Sequence, residues 1–166
     1  MALKKENIIA SYPVPAYNYR VTINDDNLIG SSGSTTLGFS EVSGLTVEYE
    51  QTVYKNGLSF LTGINIMRGM VNPIRITLKK GVMRGDKKAF LYEWLNSEVK
   101  FILLNDLKKD ITIDLCDETG VALMRWLVKG ALPIKMEMPH FSATDNEVAI
   151  ETLEVIAHSL KVNYSL

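Results

Sequence analysis

The sequence has little of what catalytic or exported proteins commonly depend on. Its 166 residues include one cysteine, Cys116, and two histidines, His140 and His158. A single cysteine cannot form an intramolecular disulfide, so nothing in the chain indicates an oxidising compartment. Neither histidine has another histidine, a cysteine or a carboxylate at a spacing typical of a metal site. We therefore expect no metal and no other cofactor, and we expect Cys116 to pack as a small hydrophobic residue rather than act as a nucleophile with His140.

Excess charge and long apolar runs are also missing. The formal net charge of -1 argues against a general nucleic-acid binder, because such affinity comes mainly from an excess of Lys and Arg. No window approaches the roughly 18 apolar residues of a membrane-spanning helix, and the first residues lack the apolar stretch of a signal peptide. We expect synthesis in the cytoplasm and no membrane span.

The motifs that resemble catalytic or binding loops are incomplete. The Gly/Ser stretch at residues 30–34 lacks the Gly-Lys-Ser/Thr ending and following helix of a phosphate-binding loop. Asp114, Asp117 and Glu118 fall at a predicted strand end and turn, without the alternating oxygen ligands of a calcium loop. Because no nucleophile, base and orienting group can be assembled, we predict that the protein is not an enzyme.

What the chain does have is enough apolar sequence for one core, with 46% hydrophobic and 22% charged residues. Residues 17–23 alternate as a strand, and residues 24–36 are polar and Gly/Ser-rich, which predicts a flexible loop. Extended segments then pivot at Gly44. Residues 55–72 are apolar but have no clean period, which favours a long loop or extended arm.

The second half predicts strands around one helix. Residues 74–81 alternate as a strand, and Asp86 is a candidate N-cap for a helix over residues 86–98. The turn at residues 117–120 predicts an antiparallel hairpin, whose second strand ends or kinks at Pro133.

The carboxyl end is ambiguous from its residues alone. Leu153, Ile156, Ala157 and Leu160 have helical spacing, whereas Val148, Ile150, Thr152 and Glu154 alternate as in a strand. The predicted fold class is mainly β (β+α): one domain over residues 1–166, an antiparallel β-barrel or sandwich with one packed α-helix.

Three short stretches carry a resemblance to a known family. They are Tyr-Pro-Val-Pro-Ala-Tyr at residues 12–17, the Phe-x-x-x-Ser-Gly-Leu pattern at residues 39–45, and Asn-Glu-Val-Ala at residues 146–149. In this order they resemble the tail-tube (inner tube) proteins of contractile phage tails and phage-tail-like extracellular injection systems. Residues 54–57, residues 77–82, Trp94 and Trp126 extend the match. Two stretches depart from the family pattern, at residues 30–34 and 67–70.

The resemblance implies a structural subunit whose copies form hexameric rings, which stack into a hollow tube for cargo or DNA. The implied partners are further copies, a contractile sheath, and baseplate and spike proteins. Assembly would follow cytoplasmic synthesis and yield part of a virion or injection particle. The resemblance also implies a long last strand that begins at Glu147. Two alternatives stay open: a baseplate tube initiator of the same fold, and a small soluble ligand-binding β-barrel.

Charge segregation and the resemblance together predict subunit contacts. Basic residues cluster at residues 68–88, whereas the acidic residues Glu137, Asp145, Glu147, Glu151 and Glu154 follow later in the chain. The plain alternative is two solvated faces, but in a repeating assembly opposite patches set register. The predicted interface positions are Phe39, Gly44, Leu45, Lys55, Asn56, Gly57, Arg68, Gly69, Glu147 and Glu151. Reversing Glu147 and Glu151 to Lys is expected to block assembly without unfolding the monomer.

Overall fold

The computed structural model describes residues 12–25, 33–83, 90–96, 107–144 and 146–164. Within them lie ten strands and two helices. The strands are β1 (Tyr19–Asp25), β2 (Gly33–Leu37), β3 (Glu41–Ser43), β4 (Tyr49–Tyr54), β5 (Asn65–Val71), β6 (Ile74–Gly81), β7 (Lys109–Cys116), β8 (Ala122–Glu137), β9 (Ile150–Ala157) and β10 (Ser159–Asn163). The helices are α1 (Ser59–Thr62) and α2 (Phe90–Leu95). The predicted mainly β class is confirmed.

Eight strands form one sheet that curls back on itself. Neighbouring strands follow the order β2-β1-β7-β8-β9-β6-β3, and β10 also pairs with β8. The first and last strands of this path, β2 and β3, are joined by residues 38–40 alone. Because that short connection brings the two ends of the path together, the sheet has the geometry of a barrel.

Two strands bend together where the barrel turns its corner. The first half of β8 pairs with β7 and β10, and its second half pairs with β9. Gly130 lies at the bend with a φ of 64°, and its N–H donates to Asp110 Oδ1 at 2.9 Å. Opposite it, His158 separates β9 from β10 and donates its N–H to the Lys129 carbonyl at 3.1 Å. The bend at Gly130 and the break at His158 are thus each fixed by a backbone N–H that donates a hydrogen bond.

The barrel interior is filled by the inward rows of its strands. These rows include Val21, Ile23, Ile76, Leu78, Ile111, Val128, Leu153 and Val155, each at most 1% exposed. Helix α2 adds Leu91 and Trp94, and the Trp94 indole donates to the Leu107 carbonyl at 2.8 Å. Full burial of one such Leu, Ile or Val side chain contributes about 1.5–3 kcal/mol, so these rows carry most of the stability.

Several predicted elements agree with the structure. The strand over residues 74–81 is β6, and the hairpin around residues 117–120 is β7 and β8. The described part of the predicted helix is helical over Phe90–Leu95. Residues 86–89, which include the candidate N-cap Asp86, and residues 97 and 98 lie outside the described residues.

Other boundaries were wrong. The loop predicted for residues 24–36 includes the end of β1 and most of β2, because Thr36 and Ser34 pair with Thr22 and Asn24. Polar side chains are acceptable there, since β2 is mostly exposed.

Of the two effects predicted for Pro133, an end of β8 or a kink in it, the structure does not have the end. The strand continues to Glu137 with a register shift between Pro133 and Lys135, a bulge that accommodates the missing N–H. The carboxyl end is strand, as the resemblance implied, but it begins at Ile150 rather than Glu147. Ile150 pairs with Gly81, where β6 ends, so the preceding residues have no facing strand residue.

Candidate assembly interface

The segment between Leu45 and Ile74 stands apart from the barrel. Strands β4 and β5 form their own two-stranded sheet, and helix α1 lies between them in sequence. We call residues 49–71 the arm. None of the residues from 44 to 73 is buried. The loop or extended arm predicted over residues 55–72 covers the turn, helix α1 and strand β5 of this hairpin.

The arm exposes a large amount of apolar surface. Phe60 is 79% exposed, Leu61 73%, Ile66 64% and Met70 80%, and further exposed side chains are Tyr49, Val53, Tyr54, Leu58, Ile64, Met67 and Val71. A soluble monomer rarely leaves so many neighbouring apolar side chains in water, and a lone two-stranded hairpin is marginally stable. The arm thus has the composition of a surface that a partner covers.

Local contacts nevertheless preorganise the arm. At its turn the Asn56 side-chain oxygen accepts from the Leu58 N–H at 3.0 Å, and the Ser59 hydroxyl accepts from the Asn56 N–H at 2.8 Å. Along the hairpin, the Arg68 guanidinium lies over the Tyr49 ring, 4.1 Å from its centroid. Because this order reduces the conformational entropy lost on docking, it favours association.

Gly44 sets the point at which the arm leaves the barrel. Its φ is 84°, and a Cβ at this position would overlap the Arg75 backbone carbonyl. The Asn72 N–H donates to the Glu48 carbonyl at 2.9 Å and closes the base of the hairpin. Glycine is thus required here for chain geometry within one molecule.

Five of the predicted interface residues lie together on the arm. Lys55, Asn56 and Gly57 form its turn, and Arg68 and Gly69 lie on β5. All five are exposed or half-buried. Gly69 approaches the Glu50 backbone closely enough that a Cβ would lie 3.1 Å from the Glu50 carbonyl oxygen, so it also serves the hairpin itself.

Two further predicted interface residues, Phe39 and Glu151, are buried within the chain itself. Phe39 is 9% exposed and belongs to the core, and its carbonyl accepts from the Tyr19 hydroxyl at 2.7 Å. Glu151 is 7% exposed and pairs with Lys80 of the same chain at 3.2 Å. Leu45 packs partly against the core, and Gly44 has the chain-geometry role given above. The Phe39 and Glu151 side chains are buried because they lie on core-facing positions, which the charge and motif arguments did not consider.

Some of the charged residues predicted to contact other subunits form ion pairs within the chain instead. Lys79 pairs with Glu41 at 2.8 Å, which lowers the pKa of Glu41, and Lys135 lies 3.5 Å from Glu154. Arg84, Lys87, Lys88 and Asp145 lie outside the described residues.

Glu147 remains available on the surface. It is exposed and borders an open cleft of about 470 Å³ that His140, Phe141, Ser142, Ala143 and Ala149 also line. The neighbouring Phe141 and Val148 are 80% and 74% exposed. This cleft is a second surface on which apolar side chains meet water.

Sequence reasoning missed the apolar residues of the arm as interface residues. The predicted set contained its polar and glycine positions but not Phe60, Ile66 or Met70. The signal was present in the sequence, because residues 58–72 are apolar without the period of a strand or helix buried on one face.

Asp117 and Cys116, two of the candidate chemical groups, have structural surroundings. Asp117 accepts from the Thr119 hydroxyl at 2.7 Å and from the Val121 N–H at 2.9 Å, contacts that lower its pKa and shape the β7–β8 turn. Cys116 is buried, as expected. The described ranges contain no cluster of three His, Cys, Asp or Glu side chains able to hold a metal ion. No helix in the same part of the chain is long and apolar enough to cross a membrane.

A mainly antiparallel barrel with an exposed, preordered apolar arm is the architecture expected of a subunit whose arm is covered by a partner. The chain belongs to the family of T4-like virus tail tube protein gp19, whose model matches residues 15–161. The function established by this membership is that of an inner-tube subunit.

Solved structures agree. A chain of the PVC sheath-tube complex in the extended state, from an extracellular contractile injection system, is 32% identical over 98% of this chain and 99% of that chain, with a TM-score of 0.80. A chain of the PVC sheath/tube terminator is 33% identical over 92% of this chain and 97% of that chain, with a TM-score of 0.74. Hcp1 from Flavobacterium johnsoniae shares the fold at 13% identity over 90% of this chain and 97% of that chain, with a TM-score of 0.53. No curated protein sequence matches significantly.

Proposed function

We propose that the arm joins neighbouring copies of this chain into hexameric rings that stack as a tube. The exposed apolar surface of the arm carries the proposal, since no residue between 44 and 73 is buried in the isolated chain. Each copy presents the arm to a different surface of its neighbour. Such a head-to-tail contact closes into a ring or continues as a stack, whereas a symmetric contact stops at a dimer.

The proposed partners beyond further copies are a contractile sheath, a baseplate and a spike. Relatives in a sheath-tube complex and a sheath/tube terminator support the sheath. A chain in the anti-feeding prophage baseplate has the same fold at 21% identity, which is compatible with a tube that begins on a baseplate. The proposal includes cytoplasmic synthesis, incorporation into an extracellular particle, passage of cargo or DNA through the lumen, and no catalytic step.

The main tube subunit is favoured over the tube initiator. The match to the sheath-tube chain is 32% identical, whereas the match to the baseplate chain is 21% identical. A ligand-binding barrel is not supported, because Leu78, Val128 and Leu153 fill the interior with fully buried side chains. The cleft beside Glu147 lies open on the surface.

The proposal is tested by removing apolar surface from the arm. Phe60→Ser with Met70→Ser replaces two side chains that are 79% and 80% exposed, so the fold of the single chain is expected to be unaffected. Tyr92→Ser, at a 51% exposed position on α2, is the matched control outside the arm. Sedimentation velocity and native mass spectrometry report the assembly state, and circular dichroism reports the fold.

We expect rings or tubes from the wild-type chain and the control, and folded monomer from the arm variant. Assembly of the arm variant at the wild-type concentration would contradict a role for the arm.

A further inference from the structure

Lys80 and Glu151 form an ion pair inside the barrel. The ammonium and carboxylate oxygen are 3.2 Å apart, and the two residues are 2% and 7% exposed. They are direct cross-strand partners between β6 and β9, on the same inward rows as the core residues. A surface pair such as Lys79 and Glu41, with side chains 39% and 48% exposed, contributes little by comparison.

The apolar residues around this pair do not by themselves exclude one error in the pairing of β6 with β9, a slip of two residues. In the observed register Ile76 faces Val155 and Leu78 faces Leu153. A slip of one residue moves an inward row to the outside and is strongly disfavoured. A slip of two residues keeps both rows inward, so apolar side chains still face apolar side chains.

The ion pair distinguishes these two-residue slips from the observed register. A slip in one direction places Lys80 opposite Leu153, and a slip in the other places Glu151 opposite Leu78. Each slip therefore buries a charged group against an apolar one and separates it from its partner. Removal of one member of a buried ion pair is among the most destabilising of single changes, whereas the intact pair adds little net stability.

We propose that the Lys80–Glu151 pair specifies the register of β6 against β9 by excluding two-residue slips. A slip of this size displaces β9 by about 7 Å along β6, at 3.3–3.4 Å per residue. It carries with it the segment at residues 146–149, including exposed Glu147, while the arm stays attached to the other end of β6. Copies in different registers present different surfaces, and identical surfaces are a condition of any regular assembly.

Cysteine pairs on the outer rows of the two strands report the register directly. Thr77 faces Glu154 in the observed register. Thr77→Cys with Glu154→Cys is therefore the native reporter. Thr77→Cys with Ile156→Cys, and Thr77→Cys with Thr152→Cys, report the two opposite slips. Each reporter is placed in the full-length chain with the native pair and with Lys80→Met and Glu151→Leu, then refolded, oxidised and quantified by non-reducing peptide mapping.

With the native ion pair, we expect disulfide formation in the native reporter alone. With the apolar pair, we expect the slip reporters to form disulfides at least about tenfold more, because the penalty on separated buried charges has been removed. Lys80→Gln with Glu151→Gln is a second neutral pair of nearly native length, used if the apolar pair is insoluble, and the same increase is expected. Lys80→Glu with Glu151→Lys restores opposite charges and is expected to return the slip reporters to background.

Slip reporters that stay at background in both neutral pairs would overturn the proposal, because other contacts would then set the register. Slip in the charge-reversed pair would also overturn it.

Discussion

Arg125 holds the carboxylate of Asp114 through two hydrogen bonds, 2.6 Å from Nε and 3.0 Å from Nη2. Arg20 adds a third contact at 3.2 Å from the opposite strand. The three residues face one another directly across β1, β7 and β8. Asp114 is 4% exposed, so its charge depends on these two guanidinium groups rather than on water.

This cluster predicts loss of stability in acid. Arg125 and then Arg20 lower the pKa of Asp114 below its ordinary value, against the opposing effect of burial. The stabilisation is therefore fully present above the unfolded-state pKa of roughly 3.9 and is lost as the pH falls through the lower folded-state pKa. Asp114→Asn is expected to cost about 1–2 kcal/mol at neutral pH, because both arginines are partly solvated.

Urea unfolding between pH 3 and pH 7 measures this effect, and Asp114→Asn should flatten the pH dependence. Glu118→Gln, at an exposed turn position, is the control. It should change neither the stability at neutral pH nor the dependence of stability on pH. A variant as stable as wild type at neutral pH would show that the cluster has no stabilising role.

Gly44→Ala is expected to destabilise the chain. The new methyl group would meet the Arg75 carbonyl, and the φ of 84° is unfavourable for any side chain. The expected cost is about 1–3 kcal/mol, measured by thermal or urea unfolding. Gly57→Ala is the matched control, since it has open space around it and no positive φ, and a change within about 0.5 kcal/mol is expected. Equal stabilities of the two variants would contradict the role given to Gly44.

The barrel corner makes a separate prediction. Asp110→Ala leaves the Gly130 N–H without its carboxylate acceptor and is expected to cost about 1–2 kcal/mol. Lys129→Met removes only the exposed ion-pair partner, 3.6 Å from Asp110, and is expected to cost less than about 0.5 kcal/mol. Unfolding midpoints of the two variants separate the hydrogen bond from the ion pair. A larger loss from Lys129→Met would reverse their assigned importance.

Two acidic residues four positions apart should respond oppositely to charge reversal. Glu147→Lys changes an exposed side chain, so we expect a folded chain with reduced assembly. Glu151→Lys places a second cation beside buried Lys80 and should unfold the chain, at a cost of about 3–5 kcal/mol. Circular dichroism and sedimentation together distinguish the two effects. Normal assembly of Glu147→Lys would remove that residue from the proposed interface.

Strands with clear alternation were predictable because period two reports burial on one face. Residues 74–81 follow this rule, and the structure places them as expected. The hairpin around residues 117–120 was predicted from its turn composition instead, and it is present as β7 and β8. The same rule, applied to the last strand, puts Glu151 on the inward row with Leu153 and Val155. Its burial was thus readable from the sequence once the strand interpretation had been accepted, but charge alone had assigned it to the surface.

The arm was the least predictable part of the molecule. An apolar side chain such as Phe60 or Met70 predicts burial, but sequence does not say whether its partner lies in the same chain or another. The interface positions inferred from motifs included residues needed for the fold of one chain as well as residues exposed on its surface. Gly44 and Phe39 serve the fold of one chain, whereas Lys55 and Glu147 are exposed on it.

The central claim is that this chain assembles with copies of itself into a tube. Negative-stain electron microscopy of the purified protein over a concentration series, with native mass spectrometry of the same samples, tests it most directly. Sixfold rings that stack into hollow tubes as the concentration rises are the predicted result. A chain that stays monomeric at the highest soluble concentration, with its arm intact, would contradict it.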